Sequence, residues 1–250
     1  MDRTELRKKR AAVLLNEMRD GIIHGAVVLA GDAHGLSSSE AFGFADSAHT
    51  VPMTPDTIID VASVTKAAAA VTALLAARSR GLVDFDAPFT EYLPGYRPRL
   101  GNPPTVRELA NHISGFVDPA AGPRPYYDES GAKMLEKILS LPPPSPRTPH
   151  ESYACWNYIL LGQIAEHVLG RRLADFLESE VFGPLEMESS FLGTTKKRFP
   201  AVRFAQTMDT PAPGVISDFV AVRLWRDGVT TGNAGLFTTA NDLVKLLRMY

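Results

Sequence analysis

Ser63 and Lys66 stand three residues apart at the head of an Ala/Leu-rich stretch, KAAAAVTALLAARSRG, whose composition dictates a helix. Gly81 supplies the stop signal at its far end. On a helix, a spacing of three puts the serine hydroxyl and the lysine amine on one face. The helix N-terminus adds unsatisfied N–H groups and partial positive charge beside Ser63, which suits an oxyanion developing on a bound substrate. A serine hydroxyl is a weak nucleophile until a base takes its proton, and a neutral lysine at this spacing can be that base. Ser-x-x-Lys is also compatible with an N-cap serine and a solvated first-turn lysine. The rest of the chain has to decide between them.

Composition narrows the field. The 250 residues are 45% hydrophobic and 22% charged, with a formal net charge of −2, a balance that suggests neither nucleic acid nor an anionic membrane as partner. The basic run Arg7–Arg10 sits in a helical N-terminal segment and reads as its solvated face, with Leu6, Val13, Leu14 and Met18 as a core-facing stripe. The charged N-terminus has no apolar signal-peptide core, and no run reaches the ~18 apolar residues that span a membrane, so the expected location is cytoplasmic. The single cysteine, Cys155, excludes an intrachain disulfide or a cysteine zinc site, and the scattered histidines have no ligand spacing, so no metal or cofactor is expected.

Along the chain, Gly25–Ala30 and Ser39–Ala45 read as a strand pair around a turn at 31–35. The Ser63 helix follows. A short helix at Val106–Asn111 carries Thr105 as cap and Glu108 at the capping-box position. Helices are predicted near Ala132–Leu141, over Trp156–Leu169 up to Gly170, over Leu173–Val181, and from Thr239 to the end. Pro142–Pro149 reads as an extended connector, and 192–232 as irregular. No strands beyond the hairpin stand out. A lone hairpin is marginal in water, and the last helix shows no C-cap signal. The expectation is therefore that the sheet is completed by further chain, a second polypeptide or a swapped segment, with Leu243, Leu246, Leu247 and Met249 exposed until then.

Several segments share a wider pattern: DVASVTK at 60–66, His112-Ile-Ser114-Gly115, Tyr153-Ala-Cys155 ahead of a helix, Gly232-Asn-Ala-Gly235-Leu, Gly25-Ala-Val-Val and Gly43-Phe-Ala-Asp46. In this order they resemble the penicillin-recognising serine hydrolases, and within them the class C β-lactamase-like esterases and D,D-peptidases. The resemblance implies a β-lactamase/transpeptidase-like fold, an α/β layer plus an all-helical domain, with C-terminal strands missing from this chain. It assigns 1–62 and 216–250 to the sheet-bearing layer, and 63–215 to the nucleophile helix and helical domain. It implies Ser63 as nucleophile, Lys66 as its partner, and Tyr153 as the tyrosine that takes the Ser63 proton and returns it to the leaving group.

Two departures stand out. Cys155 occupies the substrate-binding position where the family's Tyr-x-Asn motif carries an amide, which points toward esters rather than β-lactams or peptide amides. Cys155 itself reads as a small buried hydrophobe rather than a reactive thiol. The third motif, Lys/His-x-Gly, is absent, and with it one oxyanion donor, a loss on the order of 10²–10³ in rate. His112 and Ser114, two residues apart, read as a structural turn rather than a Ser/His pair. No Gly-x-Ser-x-Gly elbow, P-loop or dinucleotide fingerprint is present. The implied function is a serine hydrolase working through an acyl-enzyme on small esters, the substrate being a small ester or amide. The alternative is a non-catalytic or truncated homologue that binds a ligand or is inactive.

Overall fold

In the computed structural model of the chain, which describes residues 3–32, 34–117, 130–142, 150–193, 199–207 and 213–250, the charged N-terminal segment forms helix α1 (Arg3–Arg19). Part of its basic run is not merely solvated: Arg7 and Arg10 reach Glu40 at 3.0 and 3.5 Å. Leu14 and Met18 are half-buried, but Val13 is 59% exposed, because the apolar positions do not fall on one stripe of the helix. The glutamate they dock on lies in a hairpin of β1 (Gly25–Asp32) and β2 (Gly35–Gly43), antiparallel, with a register shift between Ala30 and Gly31. Neither strand has a fully buried residue.

A second sheet was not legible in the sequence. β3 (Ile59–Asp60), β4 (Phe191–Leu192) and β5 (Leu236–Thr238) form an antiparallel sheet in the order β3-β5-β4. Segments of two or three residues are too short to show an alternating pattern. Residues around 204 join the same side of the molecule: Ile58 donates to the Arg203 carbonyl at 2.7 Å, and Ala205 and Gln206 donate to the Ile58 and Ala45 carbonyls. Within the 63–215 range, β4 and residues 203–206 pair with β5, Ile58 and Ala45 outside it. A small aromatic core of Ile58, Phe191, Ile216 and Phe237 fills that side.

The Ser63 segment is helical but changes pitch. Ala62–Val64 is a tight 3-10 turn, Lys66–Val71 a wide π-helical stretch, and α2 (Thr72–Ser79) a regular helix. Its alanines and Leu74 lie in the main core. Helix α3 (Val106–Ala110) carries the expected capping box: Thr105 Oγ1 accepts the Glu108 N–H at 3.1 Å, and Glu108 Oε2 accepts the Thr105 N–H at 2.8 Å. Helices α4 (Gly131–Ile138), α5 (Cys155–Leu169) and α6 (Leu173–Leu177) follow, the last running into a π-helical turn over Glu178–Phe182. The connector at 143–149 lies outside the described residues.

Helix α7 (Phe219–Arg226) occupies part of the stretch expected to be irregular, because FVAVRLWR is rich in β-branched and aromatic residues. Its start is fixed by Asp218, whose carboxylate accepts the Val220 and Ala221 N–H groups. In α8 (Ala240–Leu247), capped by Thr239, Leu246 is buried and Leu243 packs on the core, so only Leu247 and Met249 of the residues expected to be exposed are so. No helix among the described residues is long and apolar enough to cross a membrane.

Two glycines bring α5 and the 231–235 loop together. A Cβ on Gly162 would lie 2.6 Å from the Gly232 nitrogen, and one on Gly232 would lie 2.6 Å from the Tyr158 carbonyl oxygen. This backbone-on-backbone contact sets the loop beside the Lys66 segment.

Candidate active site

Ser63 sits at the exit of β3, and a buried carboxylate holds the turn. Asp60 Oδ1 accepts the Ala62 N–H at 3.0 Å, and Oδ2 accepts the Ser217 N–H at 2.7 Å. Ala62 has φ +43°, a strained value for an alanine, immediately before the serine. On the other side, Thr65 Oγ1 accepts the Leu236 N–H at 3.0 Å, tying the turn to β5. The result is a Ser63 that faces solvent and a Lys66 only 5% exposed directly behind it.

The Lys66 amine makes three contacts. It donates to Ser63 Oγ at 3.0 Å, to the Asn233 backbone carbonyl at 3.0 Å, and approaches Cys155 Sγ at 3.5 Å. It also lies 4.9 Å from the centroid of the Tyr153 ring and 5.7 Å from that of Tyr158. Tyr153, half exposed, donates its hydroxyl to Ser63 Oγ at 2.8 Å. Ser63 Oγ is thus the meeting point of the lysine and the tyrosine. Tyr158 is a different kind of tyrosine. Burial, and secondarily the nearby Tyr153, push its hydroxyl above the ordinary value, and it donates to the Ala110 carbonyl at 3.0 Å. It remains a protonated structural donor.

The structure therefore brings Ser63, Lys66 and Tyr153 into one hydrogen-bond network and sets Cys155 at its edge, half-buried, with its sulfur toward the lysine. Sequence reasoning missed three contributors. Asn233 acts through its backbone carbonyl, which no side-chain pattern marks. Asp60 was read only as part of the motif's approach. His112 was read as a turn, and its +58° φ makes it one, yet its ring also stacks on Tyr153 with centroids 4.6 Å apart. Among the described residues, no group of three or more His, Cys, Asp or Glu side chains could hold a metal ion.

A serine, a lysine and a tyrosine thus converge at the start of a helix, between a sheet and a helical body. The β-lactamase family model matches residues 11–249, and the chain belongs to that family of serine hydrolases. Esterase EstB of Burkholderia gladioli is 28% identical over 99% of this chain and 70% of its own length. Among solved structures, a class C β-lactamase from Rhodobacter sphaeroides superposes with TM-score 0.70 at 26% identity, covering 95% of this chain and 63% of that one. The hydrolase EstCE1 shares the fold, with TM-score 0.75 at 22% identity over 97% of this chain and 71% of its own. The chain spans about half the length of other curated relatives it matches.

Proposed function

We propose that this protein is a serine hydrolase that forms a covalent acyl-enzyme on small esters. The observation that carries the reading is the double contact at Ser63 Oγ, 3.0 Å from the Lys66 amine and 2.8 Å from the Tyr153 hydroxyl. At these distances either partner, in its deprotonated form, can take the serine proton as Oγ attacks the ester carbon. The acyl group then becomes bonded to Oγ and the alkoxide leaves. Tyr153, on the open side of the network, delivers the proton to it. Water repeats the sequence in reverse roles and frees the carboxylic acid and Ser63. The Asn233 carbonyl keeps the lysine aimed at Oγ throughout.

Esters are favoured over β-lactams because Cys155 cannot offer the amide contact to a substrate carbonyl that an asparagine there would. The name of esterase EstB, and that of EstCE1 as a hydrolase with promiscuous acyltransferase activity, support that direction.

The test is labelling with a fluorophosphonate followed by peptide mass analysis. The adduct is expected on Ser63, and Ser63→Ala should lower kcat on p-nitrophenyl acetate on the order of 10⁶-fold. An adduct only at another residue rejects the nucleophile. Nitrocefin turned over faster than the acetate ester rejects the substrate class and favours a β-lactamase.

A further inference from the structure

We infer that His112 is the positioning residue for Tyr153, holding it by three points so that its hydroxyl meets Ser63. The inference rests on the proposed role of Tyr153 and extends it to a residue outside the Ser63, Lys66 and Tyr153 set. Tyr153 lies in an extended approach to α5 and is half exposed, so neither helix geometry nor burial fixes it. Residue 112 supplies what is missing on both sides. Its backbone carbonyl accepts the N–H of Ser152 at 2.8 Å, and its Nδ1 accepts the N–H of Ala154 at 3.1 Å. The N–H groups of the residues on either side of Tyr153 are therefore bound to one residue. The imidazole itself lies against the phenol ring, centroids 4.6 Å apart and planes 30° apart.

The mount is itself held. The His112 N–H donates to the Leu109 carbonyl at 3.2 Å, continuing the last turn of α3, and φ of +58° swings the side chain back toward α5. Histidine is among the few non-glycine types enriched at such a φ. The Asn157 amide lies 3.1 Å from Nδ1, and its Oδ1 accepts the Ser114 hydroxyl at 2.7 Å. Because Nδ1 already accepts from Ala154, it is the Nδ2 end of the amide that faces it, and the two donors share its one lone pair. His112, Ser114 and Asn157 are all at least nine-tenths buried, so the chain is shielded from exchange with water. His112 is only 8% exposed, with its ring against that of Tyr153. Its effect must pass through Tyr153, whose displacement by about 1 Å is enough to cost on the order of 10² in rate.

The experiment compares His112→Ala, His112→Phe and His112→Asn, alone and in a Tyr153→Phe background, by the rate of fluorophosphonate labelling of Ser63 and by kcat and KM for p-nitrophenyl acetate. Circular dichroism fixes the folded fraction of each. His112→Ala is expected to lower kcat about 30-fold with KM within about twofold. His112→Phe keeps a ring against Tyr153 but strands the Ala154 N–H. His112→Asn keeps an acceptor at the δ position and tolerates the positive φ, and should recover several-fold over alanine. In the Tyr153→Phe background, His112→Ala should cost less than about twofold more, because the two residues act as one unit. A full additive loss in that background, or wild-type labelling by folded His112→Ala, overturns the inference while leaving the serine hydrolase reading intact. Wild-type protein that does not label at Ser63 overturns that reading and this one together.

Discussion

The helical body around α2 and α5 and the hairpin layer of α1, β1 and β2 are built to opposite standards. In the first, alanines 68–70, Leu74 and the run from Trp156 to Gly162 are buried almost without exception. In the second, the burial of β1 never passes the intermediate class, and Val13, Leu15, Ile22 and Leu36 are exposed. What holds the elements of the hairpin layer to one another is largely polar: the pair of arginines on Glu40 and the backbone ladder. The Ser63, Lys66 and Tyr153 network lies in the tight region and its flanking sheet. Close packing there holds the Lys66 amine 3.0 Å from Ser63 Oγ.

The contrast should appear first in paired truncations. Leu74→Ala should destabilise by about 3 kcal/mol in urea unfolding, through lost burial and the cavity left behind. Leu29→Ala, in the hairpin, should cost under about 1 kcal/mol. Equal losses would mean that both regions share one cooperative core. Asp60→Asn comes next. It replaces one of two acceptors with a donor facing a backbone N–H, so about 2 kcal/mol should be lost, with the strained Ala62 relaxing and Ser63 labelling more slowly. An unchanged labelling rate would show that the turn is held elsewhere.

The smallest effect concerns Glu166, on α5. Burial raises its pKa above the ordinary 4.5, against hydrogen bonds from Leu173 and Thr230 that lower it. The folded state therefore binds this proton more tightly than the unfolded state. Its contribution favours folding fully below the ordinary value and is lost as pH climbs through the raised one. Glu166→Gln, which can still accept the Leu173 N–H now bound at 2.8 Å, should remove that decline and raise stability at neutral pH by a few tenths of a kcal/mol. Parallel pH curves for the two proteins would contradict the assigned cause.

Local signals were legible and long-range ones were not. Thr105 and Glu108 announce α3 because the capping box closes within three residues, and the 155–169 helix announces itself by its length and Gly170. By contrast, Ile59 pairs with Thr238 and Phe191 with Phe237, partners that no window of sequence contains. The site divides the same way. Ser63 and Lys66 are neighbours in sequence, and Tyr153 stands out only through a resemblance. The Asn233 carbonyl is a group every residue possesses, so nothing in its side chain marks the position that holds the lysine. His112 carried a visible motif, but a motif cannot say that one residue serves as both turn and mount.

The contact between Gly162 and Gly232 has a bearing on how such a protein can change. The acceptor that aims Lys66 is located by two backbones touching, 2.6 Å from any carbon added to either glycine. Larger residues at these two positions would push the loop, and with it the Asn233 carbonyl, off the amine. Val64, at the open rim, is half exposed and meets no such wall. In a saturation library selected for activity, glycine should survive alone at 162 and 232, while Val64 accepts many replacements. Replacements at the rim leave the lysine's acceptor in place, because that acceptor is a backbone carbonyl.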